Sequence, residues 1–233
     1  MSPFPDAFDP YAGSYREHVR SAIGFVSRDC DLFTEVKAAH LLASAARRLG
    51  PTRGLAALDV GCGPGETDRF LDGVFGDLHG VDVSAAMIET ARERNPSVRY
   101  AVSEAGTLPY PDERFDLAFA ICVLHHVEPA SRPTLVREMV RVVRPGGLLA
   151  VYGHNPLNPL TRLAVARCEF DRDAILLPPG EMRRAWRTAG AVPLGRRYLL
   201  FFPWRGGLLR RIERALAWSP LGAQYASFAA RPR

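Results

Sequence analysis

The stretch "LDVGCGPGE", residues 58–66, decides the fold prediction because it joins an apolar segment to a loop with three glycines. Residues 55–60, "LAALDV", form a short apolar run that is typical of a buried strand. Gly61, Gly63 and Gly65 follow, separated by single residues. Glycine tolerates left-handed backbone and leaves no Cβ between the chain and a ligand. The stretch therefore predicts a binding corner directly after a strand.

Short apolar runs alternate with amphipathic segments on the C-terminal side of this corner. The apolar runs predict strands at residues 78–83, 98–102, 115–124 and 148–153, and helices are expected at residues 66–75, 85–94 and 132–147. The strands are apolar throughout, as expected where helices cover both faces of a sheet. Strand–helix alternation of this kind predicts right-handed crossovers and a parallel, doubly wound α/β sheet.

Both ends of the chain depart from this alternation. Residues before Pro51 have a helical pattern, and the tail predicts a helix at 179–190 and strands at 196–202 and 222–230. A further amphipathic helix is expected at 206–218, with leucines on one face and arginines opposite. We expect its leucine face to pack on the core; the alternatives are a substrate lid or a membrane-surface helix.

Composition excludes several classes of protein. The 233 residues suit one large domain or a core with a cap, and 47% hydrophobic with 24% charged residues is ordinary for a globular protein. A net charge of +5 gives little support for a nucleic-acid partner. No apolar run approaches the ~20 residues of a membrane span, and the N-terminus lacks secretory features. Four widely separated cysteines indicate free thiols, so we expect a cytoplasmic protein.

Charge distinguishes two cofactors that use such a corner, dinucleotides and S-adenosylmethionine (SAM). The glycine spacing is G-x-G-x-G rather than the dinucleotide pattern G-x-G-x-x-G. Asp82, at the end of the second predicted strand, suits the ribose hydroxyls that both cofactors carry. Asp59 lies inside the corner, where a carboxylate repels a pyrophosphate but suits the ammonium of SAM. The acids therefore favour SAM.

Four segments in order resemble the successive motifs of class I SAM-dependent methyltransferases. They are "LDVGCGPG", "GVDVSAAMI", "LPYPDERFDLAFAICVLHHV" and "VVRPGGLLAVY", and they cover about residues 55–152. The chain is most similar to the small-molecule group that includes the ubiquinone/menaquinone C-methyltransferases. The resemblance implies a Rossmann-like sheet of seven strands, the last antiparallel, and an N-terminal helical cap over the site.

The same resemblance implies a set of cofactor contacts for SAM and its product S-adenosylhomocysteine. The expected contacts are Tyr15, Asp59, Gly61, Gly63, Gly65, Asp82, Val83, Met87, Glu104, Ala105 and Ile121. For Tyr15 the alternative is that its ring only packs the N-terminal helix on the sheet. Glu104 is a departure, because the family usually has an aspartate at this place, before an alanine. A longer carboxylate can still accept a hydrogen bond from the adenine amino group.

Three histidines are candidates for a general base. His125 and His126 follow the fourth predicted strand, and His154 follows the fifth, so all three are expected at the ligand edge of the sheet. A base is useful if the acceptor is a hydroxyl, whereas a carbon or amine acceptor does not require one. For the "HH" pair, the alternative is a structural or substrate-lining role.

Two other charged groups have both a functional and an ordinary interpretation. Lys37 can pair with the SAM carboxylate, but we expect a solvated side chain. Asp171 and Asp173 resemble a metal pair, yet no third ligand is evident in the sequence. We therefore expect them to form salt bridges with nearby arginines, and we expect no metal site.

These observations predict a SAM-dependent methyltransferase with an apolar small-molecule acceptor, methylated on oxygen or carbon. Residues 1–51 are expected to form the cap, and residues 52–233 the core with an acceptor-pocket insert at about 155–180. One alternative is a non-catalytic SAM-binding subunit. An NAD(P)-dependent oxidoreductase lacks support because there is no Tyr-x-x-x-Lys pair. Methylation of RNA or protein is disfavoured because no Asn/Asp-Pro-Pro-Tyr/Phe-like motif follows the fourth strand.

Overall fold

The computed structural model describes residues 5–27 and 29–233 and contains one seven-stranded sheet. Its strands are β1 (Ala56–Val60), β2 (Asp77–Asp82), β3 (Arg99–Val102), β4 (Phe115–Ile121), β5 (Val143–His154), β6 (Val192–Leu199) and β7 (Gln224–Ala230). Their order across the sheet is β3-β2-β1-β4-β5-β7-β6. β1 to β5 pair in parallel, whereas β7 runs antiparallel to both β5 and β6. The predicted fold class, with an antiparallel last strand, is confirmed.

Seven α-helices accompany the sheet in the described residues. They are α1 (Tyr15–Ile23), α2 (Cys30–Leu49), α3 (Ala85–Arg94), α4 (Arg132–Val142), α5 (Pro159–Arg167), α6 (Pro179–Thr188) and α7 (Gly207–Leu216). The Ser84 hydroxyl accepts the Met87 N–H at 3.1 Å and so caps α3 as expected. Pro133 occupies the first turn of α4, where its missing N–H costs no hydrogen bond.

Neighbouring residues of each central strand belong to two separate hydrophobic cores. Leu58 of β1 packs in the core that includes Met139 of α4 and Trp186 of α6. Its neighbour Ala57 packs in the other core, which includes Leu41 of α2. Successive side chains of a strand point to opposite faces, so the sheet is covered on both sides. Both cores consist of buried apolar residues, which explains why the strand segments are apolar throughout.

The prediction of a helix at residues 66–75 is wrong. The structure has one short 3-10 turn there, Asp68–Phe70, followed by further turns. Asp68 is fully buried and accepts the Tyr100 hydroxyl at 2.7 Å. This tertiary hydrogen bond, together with the left-handed backbone of Gly65 and Gly73, holds the segment in irregular turns. The glycine corner is therefore not followed by a regular helix whose N-terminus could face an anion.

The N-terminal segment and the insert lie at the carboxyl ends of the parallel strands. α1 contacts α5 and the 3-10 turn Glu169–Asp171 of the insert, whereas α2 packs against β5 in the core. Among the helices of the described residues, none combines the length and apolar character that a bilayer-spanning segment needs.

Candidate functional site

A cavity of about 500 Å³ opens at the carboxyl ends of β1, β2, β4 and β5. Most of the predicted site residues line it: Tyr15, Asp59, Gly61, Gly63, Asp82, Val83, Met87, Glu104, Ile121, His125, His126 and His154. Ligands of parallel α/β sheets bind at this edge, because the loops that follow the strands converge there. The fold therefore brings residues from distant parts of the chain to one cavity.

Gly65 and Ala105, two predicted cofactor contacts, are absent from that lining. A Cβ on Gly65 would overlap the side chain of Asn95 and would lie 2.8 Å from the Tyr100 hydroxyl. Gly65 also has a left-handed φ of +72°. Close packing and backbone conformation therefore require glycine at position 65, although this residue does not line the cavity.

The other two glycines shape the loop in different ways. Gly61 has φ of +77°, and a Cβ there would lie 2.6 Å from the Val123 side chain. Gly63 has φ of +52°, and its Cβ would meet no atom within 4 Å, since this glycine faces the cavity. Gly61 therefore allows close packing, while Gly63 leaves room for a ligand to approach the backbone.

The Asp82 carboxylate ties the loop to the end of β2. Its Oδ2 accepts the Gly63 N–H at 2.8 Å, and its Oδ1 accepts the Ser84 N–H at 3.0 Å. Burial raises the pKa of Asp82 despite these bonds, which oppose the shift. A carboxylate oxygen can accept more than one hydrogen bond, so Asp82 can hold the loop and still bind a diol.

Asp59 is a buried acid without a counter-charge bonded to it. Its side chain is 2% exposed, and its Oδ1 accepts no hydrogen bond from any residue in 5–27 or 29–233. Burial and the nearby Asp68 carboxylate raise the pKa of Asp59 well above its usual value. Burial also raises the pKa of Asp68, to about 7. An unpaired buried acid is costly, so this wall of the cavity favours a cationic ligand.

Lys37, the only lysine in the sequence, is 9% exposed, so the expectation of a solvated side chain is wrong. α2 carries it to the cavity wall, where its Nζ lies 3.7 Å from the Cys122 sulfur. Burial raises the pKa of the Cys122 thiol, but the charges of Lys37 and His154 outweigh it and bring the pKa to about 7. The cavity therefore contains a thiol that ionises near neutral pH.

Asp171 bonds to histidines and to no arginine within residues 5–27 and 29–233, so the expectation of salt bridges with arginines is wrong for Asp171 in this part of the chain. One oxygen of Asp171 lies 3.2 Å from Nε2 of His125 and 3.1 Å from Nε2 of His126. Burial alone would raise the pKa of Asp171, but these two contacts lower it. Burial and the neighbouring His126 charge lower the pKa of His125 to about 3. Asp171 thus orients both imidazoles at the cavity wall, and the lowered pKa of His125 favours its neutral form.

His154 completes this cluster from the end of β5. Its ring centroid lies 4.8 Å from that of His125, and its Nδ1 lies 3.3 Å from the Gln224 side-chain nitrogen. Burial opposes protonation, but the Cys122 charge outweighs it and raises the pKa of His154. Donor atoms of His125, His154 and Asp171 lie within 4.8 Å of one another, so small shifts could let them hold a divalent cation. The expected absence of a metal stays a prediction.

Aromatic side chains from the N-terminal segment and the insert meet over the cavity. Tyr15 of α1 stacks on Phe170 of the insert, with ring centroids 5.0 Å apart and planes 10° apart. Phe8 makes an edge contact with His126, at a centroid distance of 5.0 Å. These contacts cover the histidines from the solvent side.

Three residues of the site, Cys122, Asp171 and Gln224, are not recognisable as site residues from the sequence alone. Each of them lines the cavity. Each also interacts with a histidine that is more than 30 residues away in the sequence. Cys122 had one local signal, since it directly follows the apolar run of β4. The contacts of Asp171 and Gln224 depend on how the insert and β7 fold back, which no local pattern shows.

Residues 58–151 match the methyltransferase domain family. The methyltransferase GfsG of Streptomyces halstedii is 39% identical over 111 residues, which are 45% of this chain but only 39% of GfsG. A ubiquinone biosynthesis O-methyltransferase of Chelativorans sp. (strain BNC1) is 27% identical over 191 residues, covering 73% of this chain and 75% of the relative.

Solved structures share the fold over nearly the full length. A SAM-dependent methyltransferase from Thermotoga maritima, described as a possible histamine N-methyltransferase, superimposes with a TM-score of 0.69. The two are 20% identical, and the match covers 97% of this chain and 98% of that one. The domain match, the relatives and the sheet order agree with the motifs in the sequence. Residues 58–151 therefore form a domain of the methyltransferase family, and the chain as a whole shares the fold of SAM-dependent methyltransferases.

Proposed function

We propose that the protein binds SAM in this cavity and transfers its methyl group to an apolar small-molecule acceptor. The unpaired, buried Asp59 carboxylate is the observation that carries the proposal. An ammonium group beside it would supply the missing counter-charge, whereas the phosphates of a dinucleotide would add repulsion. The remaining surface of the cavity is consistent with this ligand.

The other cofactor contacts follow from the positions of the lining residues. Asp82 is suited to the ribose hydroxyls, and Gly63 leaves its backbone open to the ligand. Val83 and Met87 offer apolar contacts for adenine, and Glu104, which also lines the cavity, is suited to the adenine amino group. Bound SAM supplies a methyl group that is already activated by its positively charged sulfur. The main task of the chain is then to hold donor and acceptor in line, which can contribute roughly 7–11 kcal/mol.

The acceptor side is formed by α1, the insert and the segment after β6. Val19, Ile23, Leu160, Phe201 and Trp204 give this part of the cavity an apolar lining. The similarity to a ubiquinone biosynthesis O-methyltransferase also supports an apolar acceptor. We propose that the expected cap, residues 1–51, covers the cavity through α1 and that the insert at about 155–180 completes the acceptor pocket. The four free cysteines support a cytoplasmic location.

The histidine cluster is the proposed route for a proton from a hydroxyl acceptor. A histidine whose Nε2–H donates to Asp171 keeps its Nδ1 free to accept a proton. His126 is half-buried and Asp171 orients it, while His154 is the alternative base beside Cys122. The expected contribution of a positioned base is ~10²–10⁴-fold, and it applies to O-methylation.

Methyl transfer from radiolabelled SAM to apolar phenols and hydroquinones tests the proposal. Asp171→Asn should lower kcat while leaving the affinity for SAM unchanged, because Asp171 orients the base and does not bind the cofactor. Asp173→Asn is the matched control, since this exposed acid lies two residues away. Transfer only to polar metabolites, protein or RNA would contradict the acceptor class. SAM binding without transfer to any acceptor would favour the non-catalytic subunit, and NAD binding in place of SAM would favour the oxidoreductase.

A further inference from the structure

Helix α7 is oriented with a polar residue inward and apolar residues outward. Glu213 is buried, and its carboxylate accepts the backbone N–H groups of Phe201 at 2.9 Å and Phe202 at 3.2 Å. Leu208 is 71% exposed, and Ile212, one turn further on, is exposed as well. The expectation that the leucine face packs on the core is therefore wrong for these two residues. The hydrogen bonds of Glu213 fix α7 in this orientation.

Exposed apolar side chains continue from α7 onto the neighbouring segments. We call this surface the apolar rim and define it by six residues: Leu157, Leu160, Trp204, Leu208, Trp218 and Leu221. Hydrogen bonds connect its parts, since the Asn158 side chain donates to the Leu221 carbonyl at 2.8 Å and Arg210 donates to the Trp204 carbonyl at 3.0 Å. Trp218 is 75% exposed. Contiguous exposed apolar surface of this kind marks an interaction site.

The apolar rim adjoins the opening of the cavity. Leu160 and Trp204 belong to the rim and also line the cavity, on the side that we assign to the acceptor. A protein seated firmly on the rim would cover this opening. A lipid surface would instead place the opening next to a reservoir of apolar molecules.

Exposed arginines lie on the two helices that carry the rim residues Leu160 and Leu208. Arg162 of α5 and Arg211 and Arg214 of α7 are exposed, and none of them forms an ion pair with a residue that the structure describes. Leucine and tryptophan flanked by arginine are the residue types that bind at the boundary between lipid headgroups and acyl chains. Exposed arginines also attract anionic headgroups.

We propose that the apolar rim docks on the surface of an anionic lipid bilayer, with the cavity opening toward the lipid. The apolar side chains enter the boundary region of the bilayer, and the three arginines pair with anionic headgroups. An apolar acceptor then reaches the cavity from the membrane without crossing water. This entry route rests on the proposed function, whereas binding to lipid does not.

Sedimentation with vesicles tests the docking directly. The wild-type protein should sediment with vesicles of phosphatidylcholine and phosphatidylglycerol and bind more weakly to phosphatidylcholine alone. Leu208→Glu and Trp218→Glu should remove most of the binding, and Arg211→Glu should weaken it by about fivefold or more. Val192→Glu is the matched control, because Val192 is an exposed apolar residue on β6 outside the rim, and this variant should bind like the wild type.

Three results would overturn the proposal. The first is wild-type protein that stays in the supernatant with both kinds of vesicle. The second is equal loss of binding in Val192→Glu and Leu208→Glu, which would show a nonspecific effect of the added charge. The third is a dimer in light scattering that Leu208→Glu dissociates, which would make the rim a protein interface. Calorimetric titration of SAM into the same variants separates this test from the proposed function, because the rim substitutions should leave SAM affinity unchanged.

Discussion

Substitution of Asp59 by asparagine removes one buried ionisable group and keeps nearly the same side-chain volume. In the free protein, burial and the Asp68 carboxylate raise the pKa of Asp59, so this acid holds its proton to a higher pH than an exposed aspartate does. An ammonium group bound beside Asp59 favours the ionised form. Binding of SAM should therefore release a proton from the wild-type protein at pH values between the pKa of Asp59 in the complex and its raised pKa in the free protein.

The size of the effect follows from this proton. Below the raised pKa, the Kd of the wild type should rise by up to about tenfold for each unit that the pH falls, which is ~1.4 kcal/mol per unit. In Asp59→Asn this dependence should disappear. Removing one partner of a buried ion pair costs about 3–5 kcal/mol, so affinity near neutral pH should fall by ~10²–10⁴-fold.

Isothermal titration calorimetry in buffers of different ionisation enthalpy measures both the affinity and the released proton. Titrations between about pH 5.5 and 7 keep the SAM amino group protonated, because an α-amino group has a pKa of about 7.7–8.0. Asp72→Asn is the control: Asp72 is in the same loop region but does not line the cavity, so SAM binding should not change. Wild-type affinity for SAM in Asp59→Asn, or no proton release in the wild type, would refute the role of Asp59.

Four further outcomes are expected. Asp59→Asn should stabilise the SAM-free protein in urea denaturation above about pH 4. The native pKa of Asp59 is raised, so the wild-type protein loses stability as the pH rises from the unfolded pKa of ~3.9 through the native pKa, and the variant does not. An unchanged denaturation midpoint at pH 8 would contradict this. Gly61→Ala should destabilise the fold by ~1–3 kcal/mol, whereas Gly63→Ala should cost less stability but weaken SAM binding in calorimetry; equal denaturation midpoints for the two would disagree with the loop geometry. Alkylation of Cys122 by iodoacetamide, followed by mass spectrometry, should be half-maximal near pH 7, and Lys37→Met should shift this midpoint upward; the same midpoint in both proteins would exclude Lys37 as its cause. Asp82→Ala should weaken SAM binding by ~1–3 kcal/mol, and unchanged affinity would remove Asp82 from the cofactor site.

Local patterns in the sequence were sufficient for the sheet and for much of the cavity. Apolar runs located the central strands because strands buried on both faces leave little choice of residue type. Gly61 and Gly63 were recognisable because their left-handed backbone favours glycine. Asp59 and Asp82 were recognisable because each stands in or directly after a strand, at the edge where ligands of such sheets bind.

Features that depend on distant contacts were missed. The pattern at residues 66–75 is helical, but the bond from Tyr100 to the buried Asp68 holds turns instead. Asp171 meets His125 across 46 residues of sequence. In α7 the helical periodicity shows which residues share a face, but it does not show which face points inward. The hydrogen bonds of Glu213 to the backbone of Phe201 and Phe202 determine that orientation.

The most direct test of the central claim is a crystal structure of the protein grown with S-adenosylhomocysteine. We expect the amino nitrogen of the ligand to lie within hydrogen-bond distance of Asp59 and the ribose hydroxyls to lie within hydrogen-bond distance of Asp82. A cavity that stays empty at saturating ligand, or that holds a nicotinamide nucleotide with its phosphates beside Asp59, would contradict it.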